Sequence, residues 1–527
     1  MKFRIIGIPV ALLILGAVLW YRAETVFEDA QLTPAQLAPA PPVDAESAAR
    51  RLAGALRYPT ISWDDRTRFD ADAFDALHGY LERTFPHVHR RLQRTVVNSH
   101  SLVYHLPGAD PGLEPVLFMG HLDVVPVDPH TREQWRHDPF GGVIADGAVW
   151  GRGAVDDKLG VMAMLEAMEL LARERWQPHR SLYLAFGHDE EVGGNDGAAR
   201  IAAYFAERGT RFQFVLDEGG AVTQGVMEGV QAPVAVIGVA EKGWLNLELE
   251  VRAPGGHSSQ PPPHTAVGIL SRAIVRLENA PLPATLDFLH MTVDAIAQEM
   301  PFGLRLLFAN QWLFEPLITH SLLRNPDDAA GLRTTTAATM ITGSPKSNIL
   351  PTVARAVVNF RVMPGETADS VRAAAARIID DERVRLSPAS HWDPSPASST
   401  SSEGYRMIAQ TIRGMDPGIL VAPYLVRGGT DGRHFTGLSD HVYRFLMVPV
   451  DPQAVRRIHG IDEHVRISDY ATAIRFYYHL FMQAMDPFAR ADDAARSGNE
   501  GFQGGPVADV EGGAVAVPGR GENPDRD

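Results

Sequence analysis

The 527-residue sequence contains no cysteine, which excludes disulfides and every thiolate metal site. A metal bound here must be held by histidine, aspartate and glutamate. Positive charge is also short, with 49 Lys and Arg against 64 Asp and Glu and a formal net charge of -15. Nucleic acid and anionic surfaces call for a positive face, so no nucleic-acid partner is expected. Long apolar runs are scarce as well. The first of them, Ile5 to Tyr21, is about as long as the low end of a membrane-spanning helix and follows Lys2 and Arg4. The next residues, Arg22-Ala23-Glu24-Thr25, lack a clear small-x-small cleavage site. This pattern favours an uncleaved membrane anchor over residues 1–22, with the remainder exported to the periplasmic or extracellular side. Secretion after signal cleavage is the alternative.

What is present is a chain 45% hydrophobic, enough to bury more than one core. Residues 23–44 are rich in Pro and Ala and read as a spacer. From Ala45 a rhythm begins in which short apolar strands alternate with helical patterns. Strands are expected at Pro115–Met119, Ser181–Phe186 and Phe212–Leu216, and helices at Leu159–Leu171 and Asn195–Glu207. That order implies an α/β fold, a mostly parallel sheet covered by helices on both faces. Near Val239 the texture changes to a strand, a helix and a strand around His257, read as an inserted α+β lid domain over 240–363. The first domain, 45–239, resumes over 364–489, and residues 490–527 have the composition of a disordered tail.

Ligands in such sheets bind beyond the carboxyl ends of the strands. Here those ends carry Gly120-His121-Leu122-Asp123, His188-Asp189-Glu190-Glu191 and Asp217-Glu218-Gly219, and a glycine turn leads into Asp156-Asp157-Lys158. Each has a plain alternative: a satisfied buried histidine, a solvated acidic turn, a helix cap. Their joint placement favours a metal centre. Hard oxygen donors with one or two imidazoles suit zinc, and also cobalt or manganese. Two ions sharing Asp156 would hold a hydroxide between them and polarise a carbonyl, while one of the paired glutamates stays free to move a proton. No serine or cysteine nucleophile is required.

The ordered series His121-x-Asp123, Gly151-x-Gly153-x-x-Asp156-Asp157-Lys158, Glu190-Glu191, Asp217-Glu218-Gly219 and His459-x-x-x-Glu463 resembles the dinuclear zinc carboxypeptidase and aminoacylase family, peptidase family M20, over about Ala45 to Pro487. By that resemblance His121, Asp156 and Asp217 hold one zinc, and Asp156, Glu191 and His459 the other. Asp156 is the bridge and Glu190 the general base and acid. Asp123 orients His121 from behind, the Asp156–Asp157 peptide bond is cis, and His464 has no ligand role. The inserted domain resembles the family's lid, which commonly dimerises, with His257 stabilising the oxyanion in a partner's site. Asn348, Arg361, Gly429 and Thr430 match positions that contact substrate. An arginine fork suits a free carboxylate.

The apolar stretch from Leu286 to Leu323 is expected to be a helical hairpin inside an enlarged lid, or else an exposed surface that touches a membrane or a long acyl chain. With the amino-terminal segment it resembles the branch holding carboxypeptidase S and N-fatty-acyl amino acid hydrolases. The implied substrates are N-acyl amino acids, or short peptides with a free C-terminal carboxylate. A dizinc aminopeptidase-type exopeptidase is the rival reading, and an inactive binding scaffold the remote one.

Overall fold

A computed structural model describes residues 2–174, 177–225 and 229–486, with side chains from residue 9 onward. The expected disordered tail lies outside the described residues.

The centre of the molecule is a ten-stranded sheet. Its strand Val116–His121 is buried at every residue and pairs in parallel with Leu182–Gly187 on one side and Phe214–Asp217 on the other. Uninterrupted apolar runs form central strands of this kind because both faces are covered. Parallel pairing puts the carboxyl ends of all three strands side by side, so the acidic and histidine clusters that follow them share one rim. Farther from the middle the sheet turns antiparallel, as at Ser101–Leu106 against Leu182–Gly187.

The helix Lys158–Arg173 lies against this sheet and is buried nearly all round. One apolar face was legible in the sequence; the others are covered by the helices Ala45–Ala55 and Ile467–Met485, which enter the same core. The Asp156–Asp157 turn thus hangs from an immobile helix.

A second sheet of four strands has Gly243–Arg252 and Val353–Val362 at its middle. The expected return to the first domain at Pro364 is corrected. Gly365 is only a turn, with φ +94°, and a capping box at Thr367 starts the helix Ala368–Ile379, whose Val371, Ala375 and Ile379 share the small sheet's core. The strand Val384–Trp392 then pairs with Gly243–Arg252. The chain re-enters the large sheet only with Leu420–Val426, alongside Val234–Glu241.

The hairpin inside the lid is corrected as well. Val293, Ile296 and Met300 pack with Val234, Val236, Leu420 and Ala422 of the large sheet, and Thr292 Oγ1 donates to the Pro423 carbonyl at 2.7 Å. The helices of this insertion, from Asp287–Ile296 to Gln311–Leu322, cover an edge of the catalytic body because their apolar stripe matches that edge.

The Pro/Ala-rich stretch is not a free spacer. Leu32, Ala40 and Val43 pack on the main core, and the Ala35 amide donates to the Gln410 carbonyl at 2.9 Å. The Gln31 amide group donates to the carbonyls of Ala295 and Val421, and its oxygen accepts the Val421 amide. Proline makes this segment extended without ladder bonds of its own, so it lies in a surface groove as a strap.

The amino-terminal helix Lys2–Thr25 is tied to the insertion, with Asn310 donating to the Leu19 carbonyl at 3.0 Å and Arg22 to that of Ala309 at 3.1 Å. Among the described residues no helix is long and apolar enough to cross a membrane. The side chains of residues 2–8, where the expected anchor begins, lie outside them.

Candidate metal centre

Asp156 sits where the glycine turn meets the helix. Gly151 and Gly153 take φ of +156° and +86°, and the Asp156–Asp157 bond is cis, as the resemblance implied. The two carboxylate oxygens of Asp156 face different rings: Oδ1 is 3.0 Å from His121 Nε2 and Oδ2 is 2.9 Å from His459 Nε2. Glu191 Oε2 lies 3.2 Å from the same His459 nitrogen. Ligand atoms of His121, Asp156 and Glu191 all fall within 4.8 Å of one another, and Glu191 Oε1 is buried with no hydrogen-bond partner. A converging set of imidazole and carboxylate donors with an orphaned oxygen fits divalent cations. The imidazoles feel the same crowding of negative charge. His459 is pushed up to about 10 by its bonds to Asp156 and Glu191. Burial opposes protonation of His121, yet Asp123 and Asp156 hold it well above the ordinary imidazole range.

Asp123 is fully buried and does two things at once. The His121 Nδ1 is 3.1 Å from its carbonyl and 3.3 Å from its carboxylate. Its two oxygens accept the amides of Glu190 and Glu191 at 3.2 and 3.1 Å. One side chain therefore fixes both the ring and the acidic turn. Burial, with Asp431 and Glu191 nearby, keeps the Glu190 carboxyl well above the usual range although His121 opposes it.

The cap alternative fails for this turn. Asp157 occupies the N-cap position of the helix Lys158–Arg173 but makes no capping bond. It is 1% exposed, wedged where a Cβ on Gly120 or Gly160 would come within 2.5 and 2.4 Å of its oxygens, and burial holds it protonated-side, well above the carboxylate range. Lys158 is buried too, donating to the carbonyls of Ala55 and Tyr58 at 3.3 and 2.6 Å.

Two residues were missed as site-building groups. The buried Arg152 donates to Glu463 at 2.6 Å and to the carbonyls of His459 and Gly460. Glu463 in turn accepts the amides of Val155 and Asp156 at 2.8 and 3.2 Å. The Glu463 spacing was visible in the sequence; its function as a clamp across 307 residues was not. His464 stacks on Trp150 and takes no part in the centre.

Asp217 is buried at the end of the strand Phe214–Asp217. Its carboxylate accepts the Gly432 amide at 2.5 Å, and burial raises it against the amides of Glu218 and Gly432 and the Arg444 guanidinium. Glu218 is raised further, by burial first and then by Asp156, the charge that acts on it most. The substrate-loop residues are set behind this strand end. Thr430 donates to the buried Glu241 through its amide and hydroxyl at 2.7 and 3.0 Å, and a Cβ on Gly429 would meet the Trp392 ring at 3.3 Å. Arg361 lies over Trp244 and has no ion pair among the described residues. His257 and Asn348 are exposed, on the short ladder that pairs His257 with Ile349. Among the described residues the side chain of His257 bonds only to Ser259, and neither residue bonds to His121, Asp156, Glu191 or His459.

The model of the peptidase family M20/M25/M40 matches residues 117–483. A probable carboxypeptidase S-like 2 of Dictyostelium discoideum is 39% identical over 491 residues, covering 91% of this chain and 94% of the relative. The human N-fatty-acyl-amino acid synthase/hydrolase PM20D1 is 38% identical over 440 residues, covering 82% and 87%. Among solved structures, an M20 family metallo-carboxypeptidase from Sulfolobus solfataricus superposes with a TM-score of 0.59 at 18% identity, over 82% of this chain and 98% of that one. The likeness at that identity is one of fold; the sequence matches carry the membership. The chain belongs to the peptidase family M20/M25/M40 and is a hydrolytic enzyme.

Proposed function

We propose that the chain hydrolyses the amide bond of N-acyl amino acids, or of short peptides with a free C-terminal carboxylate, at a centre of two zinc ions. The observation that carries this reading is Asp156, whose two oxygens face two different histidines with Glu191 converging on the second. Asp156 would bridge the ions, Glu191 and His459 completing one site and His121 and Asp217 the other. Bound there, zinc supplies a Lewis acid that acidifies water and polarises a carbonyl, and cobalt or manganese would substitute. Glu190, whose backbone amide is held by Asp123, would take a proton from the attacking water and return it to the leaving amine. Arg361 is the fork for the substrate carboxylate, and Gly429 and Thr430 line its seat.

His257 and Asn348 would act on a second copy of the chain, joined through the small sheet. Their exposure supports this, as does the edge strand Thr335–Thr342, where Met340 and Ile341 stand open. A lipid or acyl partner is supported by a different surface. Trp20 and Tyr21 of the amino-terminal helix and Phe302, Trp312, Leu313 and Leu317 of the insertion are all exposed, a density of apolar side chains that marks an interaction face. The same surface and the basic residues Lys2 and Arg4 support a placement of the enzyme on the exported side of a membrane, against that face.

The deciding experiment is a panel of N-acyl amino acids of rising acyl length, each also as its carboxamide, with zinc added or chelated. Chelation is expected to abolish activity, amidation to lower it steeply, and Glu190→Gln to cost roughly 10²- to 10⁴-fold in kcat with metal retained. Equal cleavage of acids and carboxamides would return the aminopeptidase reading. Equal cleavage of acetyl and oleoyl substrates would remove the acyl-binding face from the account.

A further inference from the structure

Across the small sheet the registers place Arg361 opposite Trp244 and Trp244 opposite Trp392. The three planar groups stack in that order. The Arg361 guanidinium carbon is 4.1 Å from the centre of the Trp244 ring, and the two indoles lie 5.4 Å apart at 14°. A fourth plane comes from the large domain: the guanidinium carbon of Arg433 sits 4.6 Å from the Trp392 ring. Gly429 lies so near the same indole that a Cβ there would touch it.

Arg433 is not a surface cation resting on a ring. Its other contacts are two short bonds to backbone carbonyls, Thr430 at 2.6 Å and Gly193 at 2.6 Å. Gly193 ends the turn Glu190–Val192, its own amide donating to the Glu190 carbonyl at 2.8 Å. A guanidinium can hold such a set because its donors are fixed in one plane while its face remains free to stack. Arg433 thus joins three things: the indole pair, the substrate loop and the turn that carries Glu190.

We propose that Arg433 is a positioning residue that registers the Glu190 turn against the small sheet through Trp392 and Trp244. A substrate carboxylate seated at Arg361 and the general base at Glu190 are then set by one continuous frame. The assignment of Arg361 and Glu190 rests on the function proposed above; the link itself rests on the contacts just given.

The test compares the zinc-loaded full chain with Arg433→Ala, Arg433→Lys, Trp392→Leu and Trp392→Phe, using an N-acyl amino acid and its carboxamide. Arg433→Ala is expected to lower kcat by about 100-fold, the scale of a small misplacement of a reacting group, with bound metal unchanged and a narrowed preference for the free acid. Trp392→Leu should reproduce the loss, while Trp392→Phe, which keeps an aromatic face, should largely restore activity. In a double-mutant cycle with Arg361→Gln the combined loss should be smaller than the product of the single losses. Amide hydrogen exchange over residues 190–194 reads the same link without any substrate and should quicken in Arg433→Ala and Trp392→Leu. A kcat for Arg433→Ala near that of the parent, losses that multiply, or unchanged exchange in both variants would overturn the proposal. A parent enzyme inert on both substrates would instead refute the proposed function, with exchange still deciding this one.

Discussion

Asp217 and Glu218 are adjacent carboxylates at the end of one strand, and the site turns on which of them faces inward. Successive side chains of a strand point to opposite faces, so a sequence that offers both acids in a row leaves the choice to backbone geometry. The resemblance selected Asp217, one of whose oxygens accepts the Gly432 amide, while its neighbour Glu218 is raised by burial and by Asp156. Asp217→Asn is expected to lose one of the bound ions, and Glu218→Gln to keep both. Metal analysis of the two purified variants checks this, and loss of metal from Glu218→Gln alone would move the assignment to Glu218. The gathering of His121, Asp156 and Glu191 was legible because His121 and the Glu190-Glu191 pair close strongly apolar segments that read as buried strands, and Asp156 stands just before a long apolar helix. His459 was legible only through its spacing to Glu463, and Arg152 was not legible, since its partner is 311 residues away.

Among the elements, the glycine turn Gly151–Asp157 is held from outside by a buried ion pair. Arg152 and Glu463 are 3% and 0% exposed, and removal of one member of such a pair leaves an unpaired charge in a dry place. Arg152→Met is expected to destabilise the fold by about 3–5 kcal/mol and to weaken zinc binding, both measurable by thermal unfolding with and without metal. If stability and metal affinity both stay at parental values, the clamp is not what places Asp156. The two elements that the sequence misplaced share a cause. The hairpin and the continuation of the small sheet after Pro364 were assigned by proximity along the chain, whereas Val293 and Val371 chose partners by the apolar faces available in the assembled fold. Local pattern predicts that a helix forms and which stripe is apolar; it does not say which sheet that stripe covers.

At the scale of the molecule, two buried histidines contribute stability that acid removes. His78 and His434 are both brought down to about 4, chiefly by burial, and then by Arg94 and Arg433 respectively. Histidine in an unfolded chain titrates near 6.5, so between roughly pH 6.5 and 4 the unfolded state binds the protons and the folded state does not. Stability is then fully present above this window and is lost as the pH falls through it. Melting temperatures of the parent and of His78→Gln measured across that range should diverge, the variant gaining relative to the parent as the pH falls; equal slopes would exclude His78 as a source. The strap of residues 26–43 adds a constraint of timing. Gln31 completes its bonds only with residues 264 and 390 positions later in the chain. A segment that leaves the ribosome early thus has no seat until almost the whole body has been made, so the first part synthesised is among the last to be put in place.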